Sequence, residues 1–399
     1  MEMFPLLLSI EMFCSEEFLC YRSIESNMGE RILVHCDLDA FFASVETLHH
    51  NLDPEKPLII GSDPKGGNGR GIVSTCNYAA REFGVRSAMP ISEAWRRCPG
   101  DPIGEAIYLR GARRLYRRAS NRVMSILSEN ADLFEQASID EAYLDVTERC
   151  NGDWELAETL CRELQKRILT DISLSASFGI GPTRVVAKMA SEARKPGGIF
   201  LVTPGGIRDF LGPHKCRDVP GIGPKAAQSL GELGIMVLND AYEEGQDLLS
   251  EALGARRSTS LWSILEGESS DEISTLRSRK SIGKETTFSI DTKDIDLVFS
   301  TLSTLVDAIT GRLKKDDITS RSVEVKIRYK GFETVSHTRT LAVSMDDTET
   351  FQRVAGNLLA EIYDTNRPVR LVGVRLGELE APPNRQSKLT SFIEHDWSN

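Results

Sequence analysis

Asp140 and Glu141 stand side by side in Ala137-Ser138-Ile139-Asp140-Glu141-Ala142-Tyr143-Leu144-Asp145, a stretch otherwise suited to a buried strand. Phe134, Ile139, Tyr143, Leu144 and Val146 favour burial, so the acidic pair reads as the tight turn of a hairpin. Like charges taken out of water are costly unless a counter-charge neutralises them. A divalent cation is the usual counter-charge, and hard oxygen donors suit Mg²⁺. An isolated Asp-Glu pair is more commonly an exposed turn. A second acidic segment upstream changes that balance. Ile32, Leu33 and Val34 read as a buried strand, with Asp37 and Asp39 following where it should end. Three carboxylates on adjacent strand ends would hold two Mg²⁺ ions. Such a site activates an attacking oxygen and stabilises the leaving one in phosphoryl transfer.

The elements that must position these acids follow from pattern. Residues 44–50 predict a helix stopped near Pro54, and 57–60 a short strand. The glycine-rich run 66–71 lacks the order of a phosphate loop and reads as a hairpin turn; residues 72–76 form the return strand. A helix over 77–83 ends at Gly84 and puts Tyr78 and Arg81 on one face. Another covers 92–97. Residues 109–122 predict a helix with Leu115, Ala119, Val123 and Ile126 on its apolar side. Residues 154–169 predict one with Leu156, Leu160, Leu164 and Ile168 at intervals of four. A strand at 174–180 and a helix at 182–194 follow. Pro196-Gly197-Gly198 breaks that helix, and Lys195 sits at the break.

From 203 to 278 the character changes. Val219-Pro220-Gly221-Ile222-Gly223-Pro224-Lys225 between helical stretches is a helix-hairpin-helix signature, whose backbone N–H groups can approach a phosphate without reading base sequence. Residues 266–277 read as a polar linker. Beyond it, strands at 279–288, 323–329, 333–341 and 369–376 and helices at 295–312 and 348–363 give a β-α-β-β-α-β order. Lys326, Arg328 and Lys330 alternate and so share one face of a strand, a surface suited to duplex DNA.

The net charge of −11 argues against a nucleic-acid partner only if charge is uniform, and it is not. Arg110, Arg113, Arg114, Arg117, Arg118 and Arg122 place six positive charges in thirteen residues without an acid, which points to DNA or nucleotide phosphates. Residues 279–345 carry twelve Lys/Arg against nine Asp/Glu, while residues 1–27 carry five Glu against Arg22 alone. The eight cysteines form no C-x-x-C pair, which excludes an obvious zinc site and suits a reducing cytosol. No run of 18 apolar residues exists, so no transmembrane helix is expected.

The chain resembles the Y-family DNA polymerases, close to the DinB or DNA polymerase IV group. The matching stretches are Asp37-Leu38-Asp39-Ala40-Phe41-Phe42, Asn77-Tyr78-Ala79-Ala80-Arg81-Glu82-Phe83-Gly84-Val85, Ser138 to Asp145, Ala193-Arg194-Lys195-Pro196-Gly197-Gly198, Val219 to Gly223, and Arg279-Lys280-Ser281-Ile282-Gly283. They fall in family order over roughly residues 28 to 380.

The resemblance implies an α/β multidomain right hand. Its parts would be an α/β palm (28–42 and 109–202), small fingers (43–108), a helical thumb with the helix-hairpin-helix (203–265), a linker (266–278) and an α+β little finger (279–380). Residues 1–27 would be a disordered extension or a mis-assigned start. The implied activity is DNA-directed DNA synthesis of the error-prone translesion type, adding deoxynucleotides (dNTPs) to the primer 3′-OH of primer-template DNA without proofreading. Asp37, Asp140, Glu141 and the Leu38 carbonyl would bind the two Mg²⁺. Phe42 would exclude a ribose 2′-OH. Phe41, Thr75, Tyr78, Arg81 and Lys195 would contact the nucleotide, and Ile72 and Ser74 the nascent base pair. Gly221, Gly223, Lys225, Lys280, Lys326, Arg328 and Lys330 would contact DNA.

The tail 381–399 contains Gln386, Leu389, Phe392 and Ile393. It resembles the sliding-clamp box Q-x-x-L-x-x-F-F of PCNA-type rings, with Ile393 in place of the second aromatic. A cytoplasmic monomer is expected. The rival readings are a catalytically silent scaffold of the same family, another two-metal enzyme such as a nucleotidyl cyclase, and a plain DNA-binding module.

Overall fold

The computed structural model describes residues 31–268, 272–274 and 279–381. The chain divides into two compact units at residues 275 and 276.

The first unit opens with β1 (Leu33–Leu38), which passes through a tight turn into α1 (Phe41–His50). The expected helix at 44 therefore starts earlier, and Asp37 lies inside the strand rather than after it. The turn residue Ala40 is left-handed, with φ of 45°. Next come β2 (Leu58–Gly61), β3 (Val73–Cys76), α2 (Tyr78–Glu82), α3 (Ile91–Arg97) and β4 (Ile107–Leu109). The three strands form a small sheet in the order β3-β2-β4, with the glycine-rich run as its hairpin turn. Asn77 caps α2 by accepting from the Ala80 N–H, and the same oxygen accepts from the Leu58 N–H at 2.9 Å.

The chain then returns through α4 (Arg113–Ser128), β5 (Leu133–Gln136), β6 (Glu141–Asp145), α5 (Trp154–Ile172), β7 (Ala176–Gly181), α6 (Arg184–Ala193) and β8 (Ile199–Leu201). The main sheet runs β5-β6-β1-β7-β8. Side chains alternate across a strand, so each strand serves two faces. Val34, Cys36 and Leu38 of β1, with Ala142, Leu144, Phe178 and Ile180, join the core under α4 and α5. Leu33 instead packs with Ala187 of α6, and His35 bonds Ser191 of the same helix. Gly179 permits that helix to lie close. A Cβ there would come within 2.0 Å of the Ala187 carbonyl oxygen and 2.2 Å of the Ser191 nitrogen.

The predicted apolar face of α4 packs on the core, and the predicted stripe of α5 is corrected at one position. Leu156 is exposed, and the buried seam of α5 runs through Ala157, Cys161, Leu164 and Ile168. In α4 the buried side includes Tyr116 and Ser120, with Leu115 and Ala119 only partly covered. Leu160, Leu164 and Ile168 join the core as the spacing predicted, and only at the first turn does Ala157 take the place expected of Leu156.

The remainder of the first unit is helical: α7 (Ile207–Leu211), α8 (Pro224–Glu232), α9 (Leu238–Leu253) and α10 (Ala255–Leu265) around Leu211, Val219, Leu230, Leu238, Leu249 and Leu261. The expected polar linker is partly fastened to this unit. Ile273 is buried against Leu33, Tyr143 and Ala187, and the Ser274 N–H donates to Glu135 at 2.8 Å.

The second unit has the predicted order: β9 (Ser281–Thr292), α11 (Ile295–Asp316), β10 (Thr319–Tyr329), β11 (Thr334–Met345), α12 (Thr348–Ile362) and β12 (Val369–Glu380). Its antiparallel sheet runs β11-β10-β12-β9, with one apolar core shared by the sheet and both helices. Among the described residues no helix is long and apolar enough to cross a membrane.

Candidate active site

The antiparallel register of β1 and β6 sets Asp37 directly opposite Glu141. Both belong to the alternating set that faces α6. The hairpin between β5 and β6 forms as expected: Ala137 and Ser138 N–H groups both donate to the Glu141 carbonyl. Ser138 Oγ accepts from the backbone N–H groups of Asp140 and Glu141 at 3.1 and 3.0 Å and donates to the Asp140 carboxylate. The Leu38 N–H donates to the Asp140 carbonyl at 3.0 Å, tying the turn to the end of β1. Asp37, Leu38, Asp140 and Glu141 are thus brought together where the β1–β6 ladder ends, an acidic edge within the sheet.

Two ammonium groups neutralise this acidic edge. Lys195 Nζ lies 2.7 Å from Asp37 and 2.6 Å from Glu192, and Lys188 Nζ lies 2.8 Å from Glu141. Burial pushes the Asp37 carboxyl up to about 7 against the pull of Lys195. Burial works against the Lys195 charge, but Asp37 and Glu192 raise it above the ordinary lysine value. Glu141 is drawn down to about 2 by His35 and Lys188. His35 is fully buried, and burial holds its own pKa low, so the ring is neutral near pH 7. Its Nε2 lies 3.7 Å from Glu141, beyond hydrogen-bond length, and has no other partner. Lys188 supplies the formal counter-charge at 2.8 Å, and the neutral imidazole adds the pull of its dipole.

Cation binding fits this donor set. Asp37, Glu141, Asp140 and the Leu38 carbonyl are all hard oxygen donors. Burial disfavours the ionised form of Asp37 even with Lys195 beside it, a condition that a divalent cation would relieve. Among the described residues no three ligating side chains converge on one point.

Asp39 is not part of this edge. It is buried and accepts from Ser175 Oγ at 2.6 Å, Ser177 Oγ at 2.8 Å and the Gly197 N–H at 2.8 Å. It fixes the loop that carries Lys195. Sequence pattern missed this role, and also missed Lys188, because both rest on partners more than forty residues away.

Phe41 is buried and Phe42 half-buried at the start of α1. The Phe42 ring stacks on Tyr116 with centroids 4.2 Å apart and 12° between planes. Ile72 is 52% exposed and Ser74 exposed on the same side of the hairpin, with Thr75 opposite Ile60. Arg81 lies over the Tyr78 ring at 4.6 Å, as their spacing predicted. The arginine-rich segment does form a helix from Arg113, and its arginines are exposed. That helix covers the sheet face opposite Asp37 and Glu141, so the strip is separated from the acids by the sheet.

In the first unit, Gly221 has φ of +95°, Gly223 precedes α8 as its N-cap, and Lys225 is exposed. In the second unit, Lys280 and Lys330 are exposed. Arg328 donates to Thr334 Oγ1 at 2.9 Å, and Lys326 pairs with Glu285, which makes that face less positive than the alternation implies. Gln386, Leu389, Phe392 and Ile393 lie outside the described residues, as does the stretch 1–27.

Residues 36–192 match the model of the impB/mucB/samB family, and 279–389 that of the impB/mucB/samB family C-terminal domain. A DNA polymerase IV from Methanoculleus marisnigri is 39% identical over 92% of this chain and 99% of that relative. A Y-family DNA polymerase chimera of Dbh and Dpo4 superposes with a TM-score of 0.79 at 30% identity, covering 87% of this chain and 98% of the chimera. The insertion ternary complex of Dbh DNA polymerase gives a TM-score of 0.61 at 29% identity with the same coverage. The chain belongs to the impB/mucB/samB family, as a DinB-like member of the Y-family DNA polymerases.

Proposed function

We infer that the Asp37–Glu141 pair is the reaction centre of a DNA-directed DNA polymerase of the translesion type. The observation that carries this is the strand register that sets Asp37 against Glu141 with the Asp140 turn tied to Leu38. The substrates are primer-template DNA and a dNTP, and a divalent cation is required. We assign two Mg²⁺ to Asp37, Asp140, Glu141 and the Leu38 carbonyl. Bound there, they would supply Lewis-acid activation of the primer 3′-OH and neutralise the triphosphate.

The chain's own residues do the remaining work. Ser138 holds the Asp140 turn, and Asp39 holds the Lys195 loop, so neither must be ordered during the reaction. Lys195, released from Asp37, would take the β- and γ-phosphates with Thr75, Tyr78 and Arg81. Phe42, beside Phe41, would check the sugar, and Ile72 and Ser74 would lie against the base pair. The backbone at Gly221 and Gly223, with Lys225, would grip a DNA phosphate. Lys280, Lys326, Arg328 and Lys330 would follow the duplex. The tail would tether the enzyme to a sliding clamp. A cytoplasmic monomer with palm, fingers, thumb and little finger at the boundaries given above completes the reading.

Primer extension on an undamaged template with Mg²⁺ tests it. Wild type should extend, and Asp140→Ala with Glu141→Ala should not. Equal extension by both would remove these acids from the reaction; no extension by either would favour the scaffold alternative.

A further inference from the structure

We propose that Glu46, a buried residue outside the acidic edge, positions Phe42 through Tyr116 and so sets the sugar selectivity of the enzyme. This inference rests on the reading of Phe42 as the sugar check.

Glu46 lies one helical turn after Phe42 in α1, so both fall on one face of the helix. It is 1% exposed, a rare state for a carboxylate and one that demands partners. Its Oε1 accepts the Tyr116 hydroxyl and also the Ala112 N–H at 3.1 Å. Ala112 is the N-cap of α4 and has no side-chain cap of its own, so Glu46 serves a donor that the helix leaves open. Tyr116 follows one turn later, and its ring lies flat on Phe42. His50 Nε2 stands 3.2 Å from the second Glu46 oxygen.

Four residues therefore close a ring. Phe42 and Glu46 are joined by one turn of helix, as are Ala112 and Tyr116. Hydrogen bonds to Glu46 and the aromatic stack join the two helices. A sugar check works by steric exclusion, and steric repulsion falls steeply with distance. Phe42 is half-exposed, and Tyr116 is the wall behind it. If the wall tilts, Phe42 yields to a 2′-OH. The directional bond from Tyr116 to a buried carboxylate resists that tilt, whereas an apolar side chain of similar size would fill the space without holding the ring. Glu46 is thus a positioning residue acting through Tyr116.

The experiment measures kcat/KM for a matched dNTP and the corresponding ribonucleotide in the full chain, with thermal melting as a check of folding. The variants are Glu46→Leu, Glu46→Gln, Tyr116→Phe, Phe42→Ala, and Glu46→Leu combined with Phe42→Ala. We expect Glu46→Leu to lower discrimination by about tenfold or more. Glu46→Gln, which keeps an acceptor oxygen, should stay within about threefold of wild type. In the Phe42→Ala background, Glu46→Leu should change nothing further, because the group it positions is gone.

Should Glu46→Leu fail to fold, Tyr116→Phe carries the test and should relax discrimination in the same direction. A folded Glu46→Leu or Tyr116→Phe with wild-type discrimination, or an additive effect with Phe42→Ala, overturns the proposal. If Phe42→Ala relaxes selectivity and the Glu46 and Tyr116 variants do not, the positioning role alone fails. If Phe42→Ala leaves selectivity intact, the sugar-check reading fails and the positioning role with it.

Discussion

Asp37 and Glu141 face each other across β1 and β6, yet each is neutralised by a different lysine, Lys195 at 2.7 Å and Lys188 at 2.8 Å. The two ammonium groups stand in the electrostatic role that divalent cations would take over. On the proposed assignment of cations to Glu141, Lys188 would compete with them for this carboxylate. Lys188→Ala should therefore reduce the Mg²⁺ concentration needed for half-maximal extension by about threefold to tenfold. A Mg²⁺ titration of primer extension checks this; an unchanged or raised requirement would show that Lys188 does not compete.

The pKa shifts at the pair have opposite signs, so their effects on stability fall in different pH windows. Asp37 is raised to about 7, so the unfolded chain ionises this group first. Its contribution is complete below the ordinary aspartate range and is lost as pH rises toward 7. Glu141 is lowered to about 2, so its contribution is present above the ordinary glutamate range and is lost as pH falls toward 2. Metal-free Asp37→Asn should accordingly melt higher than wild type at pH 7.5, with the difference shrinking at pH 5. A lower melting temperature at pH 7.5 would contradict burial of the Asp37 carboxylate as a cost to the folded state.

Close approach of α6 to the sheet depends on Gly179. Gly179→Ala would drive a Cβ into the Ala187 and Ser191 backbone, and a cost above about 3 kcal/mol is expected. Gly205, with no atom within 4 Å of a built Cβ, is the control, and Gly205→Ala should stay within about 0.5 kcal/mol of wild type. Denaturant melts compare the two. Equal stabilities would mean that α6 can lift without penalty, and the seating of Lys188 and Ser191 would need another explanation.

Much of this was legible in the sequence. The Asp140–Glu141 turn, the Tyr78–Arg81 face and the β-α-β-β-α-β order all rest on local spacing, which a chain displays directly. What escaped was set by distant partners. Nothing near Lys188 marks it as the counter-charge of Glu141, and nothing near Glu46 announces Ala112 and Tyr116. Asp39 looked like a companion of Asp37, but β1 ends at Leu38, and bonds from Ser175, Ser177 and Gly197 make Asp39 a loop anchor. The α5 stripe was read correctly at Leu160, Leu164 and Ile168 but not at its start, where the core accepts Ala157 rather than the conspicuous leucine at 156.

The tail offers an independent test of partnership. Removing residues 386–399 should leave basal primer extension intact while abolishing stimulation by a sliding clamp. Extension on a circular primed template with and without clamp reads this, and persistent stimulation would place the tether elsewhere.

The most direct measurement is single-turnover insertion of one dNTP by wild type and Asp37→Asn, both saturated with primer-template DNA and titrated with Mg²⁺. DNA affinity would be followed in parallel. If Asp37 anchors the reaction centre, insertion should fall by at least about a hundredfold while DNA affinity stays within about threefold. Insertion within about tenfold of wild type at saturating Mg²⁺ would contradict the assignment of the Asp37–Glu141 pair as the catalytic centre.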